Sequence, residues 1–332
     1  MSRTLIIAEA GVNHNGDINL AKQLCLAAKE SGADVVKFQT WKTDKIITRK
    51  VEQADYQKEN TAVEQSQYDM LKELELSYDD FREIKKYCDD IGIVFASTAD
   101  EEESLDFLID LGIPFIKIGS GDIGNIPYLR YIGKKKLPII MSTGMSTIDD
   151  VKLSMEALLS GGSNDISLMH CTTNYPCDFE NVNLSAMDTL HNTFNVSVGY
   201  SDHTIGIEIP IAAVSKGATI IEKHFTLDRN MKGPDHLAST DPGQFKEMVR
   251  AIRNVEVAIG DGVKVPTEEE SEISRVVYKR IVAVEPIKKG DIFTAKVLGV
   301  KRNDTGVFAS DWDNVIGKIA TQDFNVDDGI IF

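Results

Sequence analysis

The sequence predicts a (β/α)8 (TIM) barrel over residues 1–262, a linker over 263–275 and a small β-rich domain over 276–332. Three observations predict this α/β architecture. Eight short apolar runs recur as far as His224, each ending in polar residues able to do chemistry. The stretches between them carry helical patterning. Beyond Gly260 the pattern changes to short strands and turns. Eight strand-then-helix units close a barrel whose catalytic side chains sit at the carboxyl ends of the strands.

In chain order, Leu5–Ala8 leads to Glu9, Val35–Val36 to Lys37 and Gln39, and Ile93–Ala96 to Ser97 and Thr98. Phe115–Ile116 leads to Lys117 and Ser120, Ile139–Met141 to Ser142 and Thr143, and Ile166–Met169 to His170 and Thr172. Val196–Val198 leads to Ser201 and His203, and Ile220–Ile221 to Glu222, Lys223 and His224. Helices are expected over Asn19–Ser31, Tyr78–Ile91, Glu101–Leu111, Ile148–Leu159, Glu208–Lys216 and Pro242–Ile259. Leu20, Leu24, Ala27 and Ala28 share one face of the first, Thr147 caps the fourth, and Asp241-Pro242 opens the last. Thr40–Gln67 is a long polar connection at the catalytic face, a place where loops are more often functional than idle. The acidic run Thr267–Glu272 reads as solvated linker. After it, Arg280–Val284, Val297–Lys301 and Ile316–Ala320 read as strands, with a turn at Lys288–Asp291.

A chain of 332 residues, 42% hydrophobic, can bury a barrel core and a small second one. Its formal net charge of −16 argues against unaided binding to nucleic acid or an anionic membrane. An anionic small substrate stays open, because it responds to a local field. No run approaches the roughly 18 apolar residues of a membrane span. Met1–Thr4 passes into a strand without a signal-type apolar region, so a cytoplasmic location is expected. Cys25, Cys88, Cys171 and Cys177 are scattered, which suits a reducing compartment and offers no thiolate metal site.

His203 and His224 end adjacent strands, within reach of one divalent ion. Taken singly, each imidazole more often hydrogen-bonds near a core, by roughly two to one; their pairing at the catalytic face reverses that preference. His170 is the weaker candidate, and its neighbour Cys171 reads as a small core residue. Lys37 and Lys117 lie among apolar neighbours in strands, where an ammonium needs an anion or an imine. Two readings compete at this point, an aldolase-type Schiff base and a phosphate-carboxylate clamp. Ser120 and Ser142-Thr143-Gly144 add hydroxyls and backbone N–H donors nearby. In the first loop, Asn13, His14 and Asn15 stand between glycines and are expected to hydrogen-bond a polyhydroxylated ligand. Asp122 and Asp235 are carboxylates near the same face, each able to orient a hydroxyl or act as a base.

These motifs together resemble the sialic acid synthases. The resemblance rests on Ala8–Gly16, Val36–Gln39, Lys117–Gly121, Ser142–Met145, Gly199–Thr204, Glu222–Thr226 and Gly233–His236, and it covers essentially the whole chain in order. It continues through Val300–Arg302 and Gly317–Ala320, which look like that family's antifreeze-like (SAF) domain. The resemblance implies condensation of phosphoenolpyruvate with an open-chain N-acetylated mannosamine-type sugar, assisted by Mn2+ or Mg2+. The metal polarises the sugar aldehyde, the enol carbon attacks it, and water adds before phosphate departs. On this sequence His203 and His224 would ligate the metal. Lys37, Thr98, Lys117, Ser120, Ser142 and Ser201 would bind phosphoenolpyruvate. Gln39, Asp122, Tyr175 and Asp235 would face the sugar, and Arg302 would reach its N-acyl group from a partner subunit in a domain-swapped homodimer. The lysines are then clamps, not imine formers.

His170–Pro176, Val182–Leu184, Tyr56-Gln57 and Phe225–Asp228 look most like the bacterial N,N'-diacetyllegionaminate synthases, which use 2,4-diacetamido-2,4,6-trideoxymannose. Thr173 stands where neuraminate synthases more often carry a sugar-facing Asn, which suits a less polar or differently substituted sugar. Four positions depart from the family pattern: Ala99-Asp100 for Pro-Phe, Asp122 for Glu, and Asn303 for Pro after Arg302. Alternatives are an N-acetylneuraminate synthase using N-acetylmannosamine, a lysine-dependent pyruvate aldolase, and a carbohydrate-binding barrel that has lost activity.

Overall fold

The computed structural model describes residues 3–53 and 65–332, which form two compact units, Met1–Asp261 and Gly262–Phe332. The Tyr56-Gln57 pair and the middle of Thr40–Gln67 lie outside the described residues. The described flanks of that connection hold a short helix, Thr43–Ile46, and a longer one, Gln67–Leu74. Glu75 pins the first by accepting from the Thr43 N–H at 2.9 Å and its hydroxyl at 2.7 Å.

In the first unit eight parallel strands close a barrel. They are β1 Leu5–Gly11, β2 Val35–Thr40, β3 Val94–Ala99, β4 Ile116–Ile118, β5 Ile139–Ser142, β6 Ile166–Cys171, β7 Val198–Asp202 and β8 Ile220–His224. Closure is direct, Glu9 of β1 lying opposite both Lys37 of β2 and His224 of β8. Most strands run beyond the apolar runs that predicted them, so the polar residues belong to the barrel wall itself. Side chains alternate across a strand. Ile7, Val35, Ala96, Phe115, Ile140, Met169 and Ile220 accordingly point inward and pack as an apolar floor. Their neighbours, such as Val36, Phe95, Ile116 and Ile221, point outward into the main core beneath the helices.

The expected helices form, Pro242–Ile259 with the same limits and Ile148–Gly161 opened by Thr147, whose hydroxyl accepts from the Asp150 N–H at 3.3 Å. Two further helices, Ile126–Gly133 and Ala186–Phe194, were not anticipated. The first carries Pro127 in its opening turn, a start signal the sequence displays. It packs so closely on Ile148–Gly161 that a Cβ on Gly133 would meet the Leu158 carbonyl oxygen at 2.3 Å.

Thr267–Glu272 is solvated as expected, but it is helical. Thr267 and Glu270 form a capping box that opens a helix over Glu268–Val277. A threonine followed three residues later by glutamate satisfies the free N–H groups of a helix start, and local capping overrides the linker-like composition. In the second unit β9 (Lys279–Ala283) and β10 (Leu298–Arg302) pair antiparallel over a core that includes Ile281, Phe293, Leu298 and Phe324. The turn at Lys288–Asp291 forms, with Gly290 at φ 101°. Ile316–Ala320 is not a strand. Gly317 takes φ 86° and turns the chain, leaving only an isolated bridge between Ile292 and Ile319.

No helix among the described residues is long and apolar enough to cross a membrane.

One buried ion pair braces the barrel's outer wall. Lys223 on β8 bonds the Asp202 carboxylate on β7 and also donates to the Thr204 carbonyl at 2.8 Å. Asp202 is fully buried, and its Oδ1 accepts from the Thr204 hydroxyl at 2.9 Å and the Thr204 N–H at 3.1 Å. Removing one partner strands the other charge in a medium that cannot solvate it. Lys223→Met is therefore expected to destabilise the first unit by about 3–5 kcal/mol in urea unfolding, and adding Asp202→Asn to recover much of the loss. A loss below about 1 kcal/mol would match an exposed pair and contradict this reading.

Candidate active site

The alternation that builds the floor also builds the site. Two residues beyond Ile7, Val35, Ala96, Phe115, Ile140, Met169 and Ile220 stand Glu9, Lys37, Thr98, Lys117, Ser142, Cys171 and Glu222. All seven line a cavity of about 190 Å3 at the carboxyl ends of the strands, joined by Gln39, Asp100, Ser120, Thr173, Tyr175, Ser201, His203 and His224. Period-two alternation converts one apolar layer into a polar layer directly above it.

Four charges form the base of this cavity. The Lys37 ammonium lies 2.6 Å from Glu9 Oε2 and 3.6 Å from Glu222 Oε2, and Lys117 lies 3.6 Å from Glu222 Oε1. Hydroxyls complete the shell: Lys37 donates to Thr98 at 3.1 Å, Lys117 to Ser142 at 2.7 Å, and Ser201 to Glu222 at 3.1 Å. Burial pushes the Glu222 carboxyl up, but Lys117 and Lys37 outweigh it and hold the group down at about 2. For Glu9 burial wins, helped by repulsion from Glu222, and its carboxyl is pushed up to about 7 against the pull of Lys37. Lys37 is raised because Glu222 and Glu9 overcome its burial, while burial holds Lys117 below its ordinary value. One carboxylate is thus a permanent anion between two lysines, and the other is poised to exchange a proton near neutrality.

The imidazoles stand above these charges. The His203 and His224 ring centroids are 5.3 Å apart at an interplanar angle of 62°. The Tyr175 ring packs against both, at 4.2 Å and 5.4 Å. His203 Nδ1 lies 2.7 Å from the Thr172 carbonyl, which fixes the proton there and leaves Nε2 as the free lone pair. His224 Nδ1 is buried with no hydrogen-bond partner, 3.8 Å from Asp235 Oδ2. Burial, with His203 beside it, holds His224 well below its ordinary value and so neutral. Two imidazoles, one with an orphaned buried nitrogen, fit a divalent cation as its nitrogen donors. Among the described residues no group of three or more His, Cys, Asp or Glu is placed to hold a metal, so further ligands would have to come from water or substrate.

The chain matches the NeuB family over residues 24–264. The chain belongs to the NeuB family. A SAF domain matches residues 279–330. An N,N'-diacetyllegionaminic acid synthase of Legionella pneumophila is 47% identical over 316 residues, spanning 94% of this chain and 89% of that protein. One from Campylobacter jejuni is 46% identical over 330 residues, spanning 99% of each. The crystal structure of an N-acetylneuraminic acid (sialic acid) synthetase from Leptospira borgpetersenii superposes with a TM-score of 0.73 at 32% identity, over 82% of this chain and 90% of that one.

Most of the residues expected to act together in this NeuB-family chain do meet. Lys37, Gln39, Thr98, Lys117, Ser120, Ser142, Thr173, Tyr175, Ser201, His203 and His224 share the one cavity. The first loop does not join them. Asn13 is fully buried, its amide N–H groups donating to the Phe225 carbonyl and the Ser239 hydroxyl, both at 2.9 Å, so it braces the β1 and β8 loops and lies outside the cavity lining. Asn15 donates instead to the Lys232 carbonyl at 2.9 Å. His14 is buried, accepts from the Gly16 N–H at 3.0 Å and is held at about 4 by burial. His14 bonds within its own turn while Asn13 and Asn15 tie the loop to the chain after β8, uses that composition alone does not separate from ligand binding.

Asp122 does not line the cavity; it lies in the turn Ser120–Asp122 and accepts from Asn125 at 3.0 Å. Asp235 stands behind His224, outside the lining, with its carboxyl raised to about 6 by burial. Arg302 is exposed at the end of β10 in the second unit. His170 faces outward, its Nε2 2.6 Å from the Val182 carbonyl. Cys171 is no mere core residue: its thiol lies 3.8 Å from Ser120 Oγ and 3.9 Å from His203 Nδ1.

Glu9, Glu222 and Asp100 carry the site's negative charge and were assigned no role from sequence. Each neighbours a residue that was: Glu9 faces Lys37 and His224 across the strands, Glu222 lies two residues before His224, and Asp100 two after Thr98. Burial, reinforced by Asp122, pushes the Asp100 carboxyl from 3.8 up to about 7. A folded-state acid raised in this way holds a proton that the unfolded chain has released. Its contribution to stability therefore falls as pH rises between about 4 and 7 and levels off above. Asp100→Asn is expected to flatten that part of the stability profile and to raise the urea midpoint relative to the parent at about pH 8. Identical midpoints there would show that the carboxyl is not held up.

Proposed function

We propose that this chain is a nonulosonic acid synthase. It condenses phosphoenolpyruvate with 2,4-diacetamido-2,4,6-trideoxymannose to give N,N'-diacetyllegionaminate and phosphate. The observation that carries the reading is the stacking, in one cavity, of two buried lysines below two paired imidazoles. The 47% and 46% identities to diacetyllegionaminic acid synthases support the choice of sugar.

Lys37, Lys117, Thr98, Ser120, Ser142 and Ser201 hold the phosphate and carboxylate of phosphoenolpyruvate. A substrate anion entering here shares the two ammoniums with Glu222 and takes over from Glu9, whose carboxyl near 7 can take up a proton. His203 and His224 would hold Mn2+ or Mg2+, which when bound would supply Lewis acidity toward the sugar aldehyde. The enol carbon then bonds to the aldehyde carbon, water adds at the former enol-ether carbon, and phosphate leaves with cleavage of its C–O bond. Glu9, with its carboxyl near 7, can give a proton to the aldehyde oxygen and take one from the attacking water. Arg302 meets the N-acyl group from the partner subunit of a domain-swapped homodimer, and the reaction takes place in the cytoplasm.

One observation favours imine chemistry: burial lowers Lys117, as suits a Schiff-base lysine. Against it, the Lys117 ammonium is engaged by Ser142 and Glu222. Borohydride is expected to trap no pyruvate on Lys117; a trapped adduct would establish the aldolase.

Phosphate release from phosphoenolpyruvate is expected only with the sugar and a divalent cation both present, and EDTA should stop it. No turnover with any 2-acetamido mannose-type sugar under Mn2+ would sink the reading. N-acetylmannosamine serves as the comparison, because turnover with it alone would favour the neuraminate synthase. Arg302→Ala is expected to raise the sugar's KM far more than that of phosphoenolpyruvate. An equal rise in both would overturn its assignment to the N-acyl group.

A further inference from the structure

We propose that a second cavity, of about 720 Å3, seats the uncharged distal end of the sugar, its second acylamino group and terminal methyl, with Thr173 selecting for it at the entrance. The inference rests on the synthase reading and adds a subsite to it. The two cavities share Met145, Cys171 and Thr173, so the second opens directly off the reaction site. It lies outside the barrel wall, between the start of helix Ile148–Gly161 and helix Ala186–Phe194. Its size falls in the range of small-molecule sites, about 300–1,000 Å3.

The lining decides the chemistry of the occupant. Hydroxyls of Thr143 and Ser146 and the amides of Asn174 and Asn183 alternate with aliphatic Ile148 and Leu190. Among the described residues no Lys, Arg, Asp or Glu contributes to the lining, and the one imidazole among them, His170, is engaged by the Val182 carbonyl. Phosphoenolpyruvate therefore finds no counter-charge here and stays with the lysines of the first cavity. A neutral group with both an amide and a methyl finds partners for each.

Thr173 marks the passage between the two. Its hydroxyl is buried with no hydrogen-bond partner among the described residues, a costly state for a protein group that a ligand amide would relieve. Gly144 keeps the spot open, since a Cβ there would stand 2.1 Å from that hydroxyl. Thr173 is two residues from Tyr175, which packs on both imidazoles. A sugar whose aldehyde meets the imidazoles is thus directed past Tyr175 and Thr173 into the second cavity.

The test fills the cavity from helix Ala186–Phe194, away from the charged base. Ala186→Phe and Thr189→Trp place bulk into it at positions that are half-buried and exposed. Steady-state kinetics of each variant and the parent, with unfolding midpoints as a check on folding, give the readout. The KM for the diacetamido sugar is expected to rise about tenfold or more while that for phosphoenolpyruvate stays put. Thr173→Val, which removes the hydroxyl at constant volume, should raise the sugar's KM in the same selective way. A parent enzyme active on this sugar, with filled variants of unchanged KM, would overturn the subsite and leave the synthase reading standing. Equal increases in both KM values would overturn it too. A folded parent inactive on every such sugar would instead defeat the synthase reading.

Discussion

Everything in the barrel is arranged around four buried charges, Glu9, Lys37, Glu222 and Lys117, held within 3.6 Å contacts above an apolar floor. Buried ion pairs are poor stabilisers, because desolvation offsets most of their attraction and a hydrophobic layer would serve the core at least as well. A barrel that replaces such a layer with lysines and carboxylates has given up stability for chemistry. The formal charges of the four cancel, so the cluster can be buried. An anionic substrate that displaces a carboxylate's influence finds two ammoniums already in position.

The same cluster reconciles the chain's formal charge of −16 with an anionic substrate. Charges on the outer surface are screened by salt within about 10 Å, whereas charges inside a narrow cavity are screened much less. Binding is then decided by the few groups that line the cavity base. Glu222, held at about 2, remains an anion at any physiological pH and keeps both lysines paired. Glu9, near 7, can lose its negative charge when a substrate carboxylate or phosphate arrives.

Much of this was legible in the sequence because a barrel repeats one rule eight times. Apolar residues at i, with polar residues at i+2, located the strands and most of the cavity: Lys37, Thr98, Lys117 and Ser142 all obey it. The rule was equally able to name Glu9 and Glu222, which were passed over because an acidic residue at a strand end has many ordinary uses. It had no power over the loops. Asn13 and His14 looked like ligand-binding side chains, but their partners, Phe225, Ser239 and Gly16, are set by tertiary closure or by a turn within the loop. Thr267–Glu272 failed for the opposite reason, a local capping signal being read as bulk composition. The cavity beyond Thr173 was invisible, since its walls come from three separate connections that meet only in space.

Alternation also explains how the outside of the wall serves the inside. Asp202 and Lys223 point outward, and each is the immediate chain neighbour of an imidazole, His203 and His224. Their buried bond, doubled by Asp202 to Thr204 and by Lys223 to the Thr204 carbonyl, ties the ends of β7 and β8 together at that level. A one-residue slip between these strands would move both rings and expose both charges to apolar surroundings at once. Register and ring placement are therefore fixed by the same interaction. Any change that loosens the outer pair must also loosen the inner one, even though no atom of Asp202 or Lys223 lines the cavity.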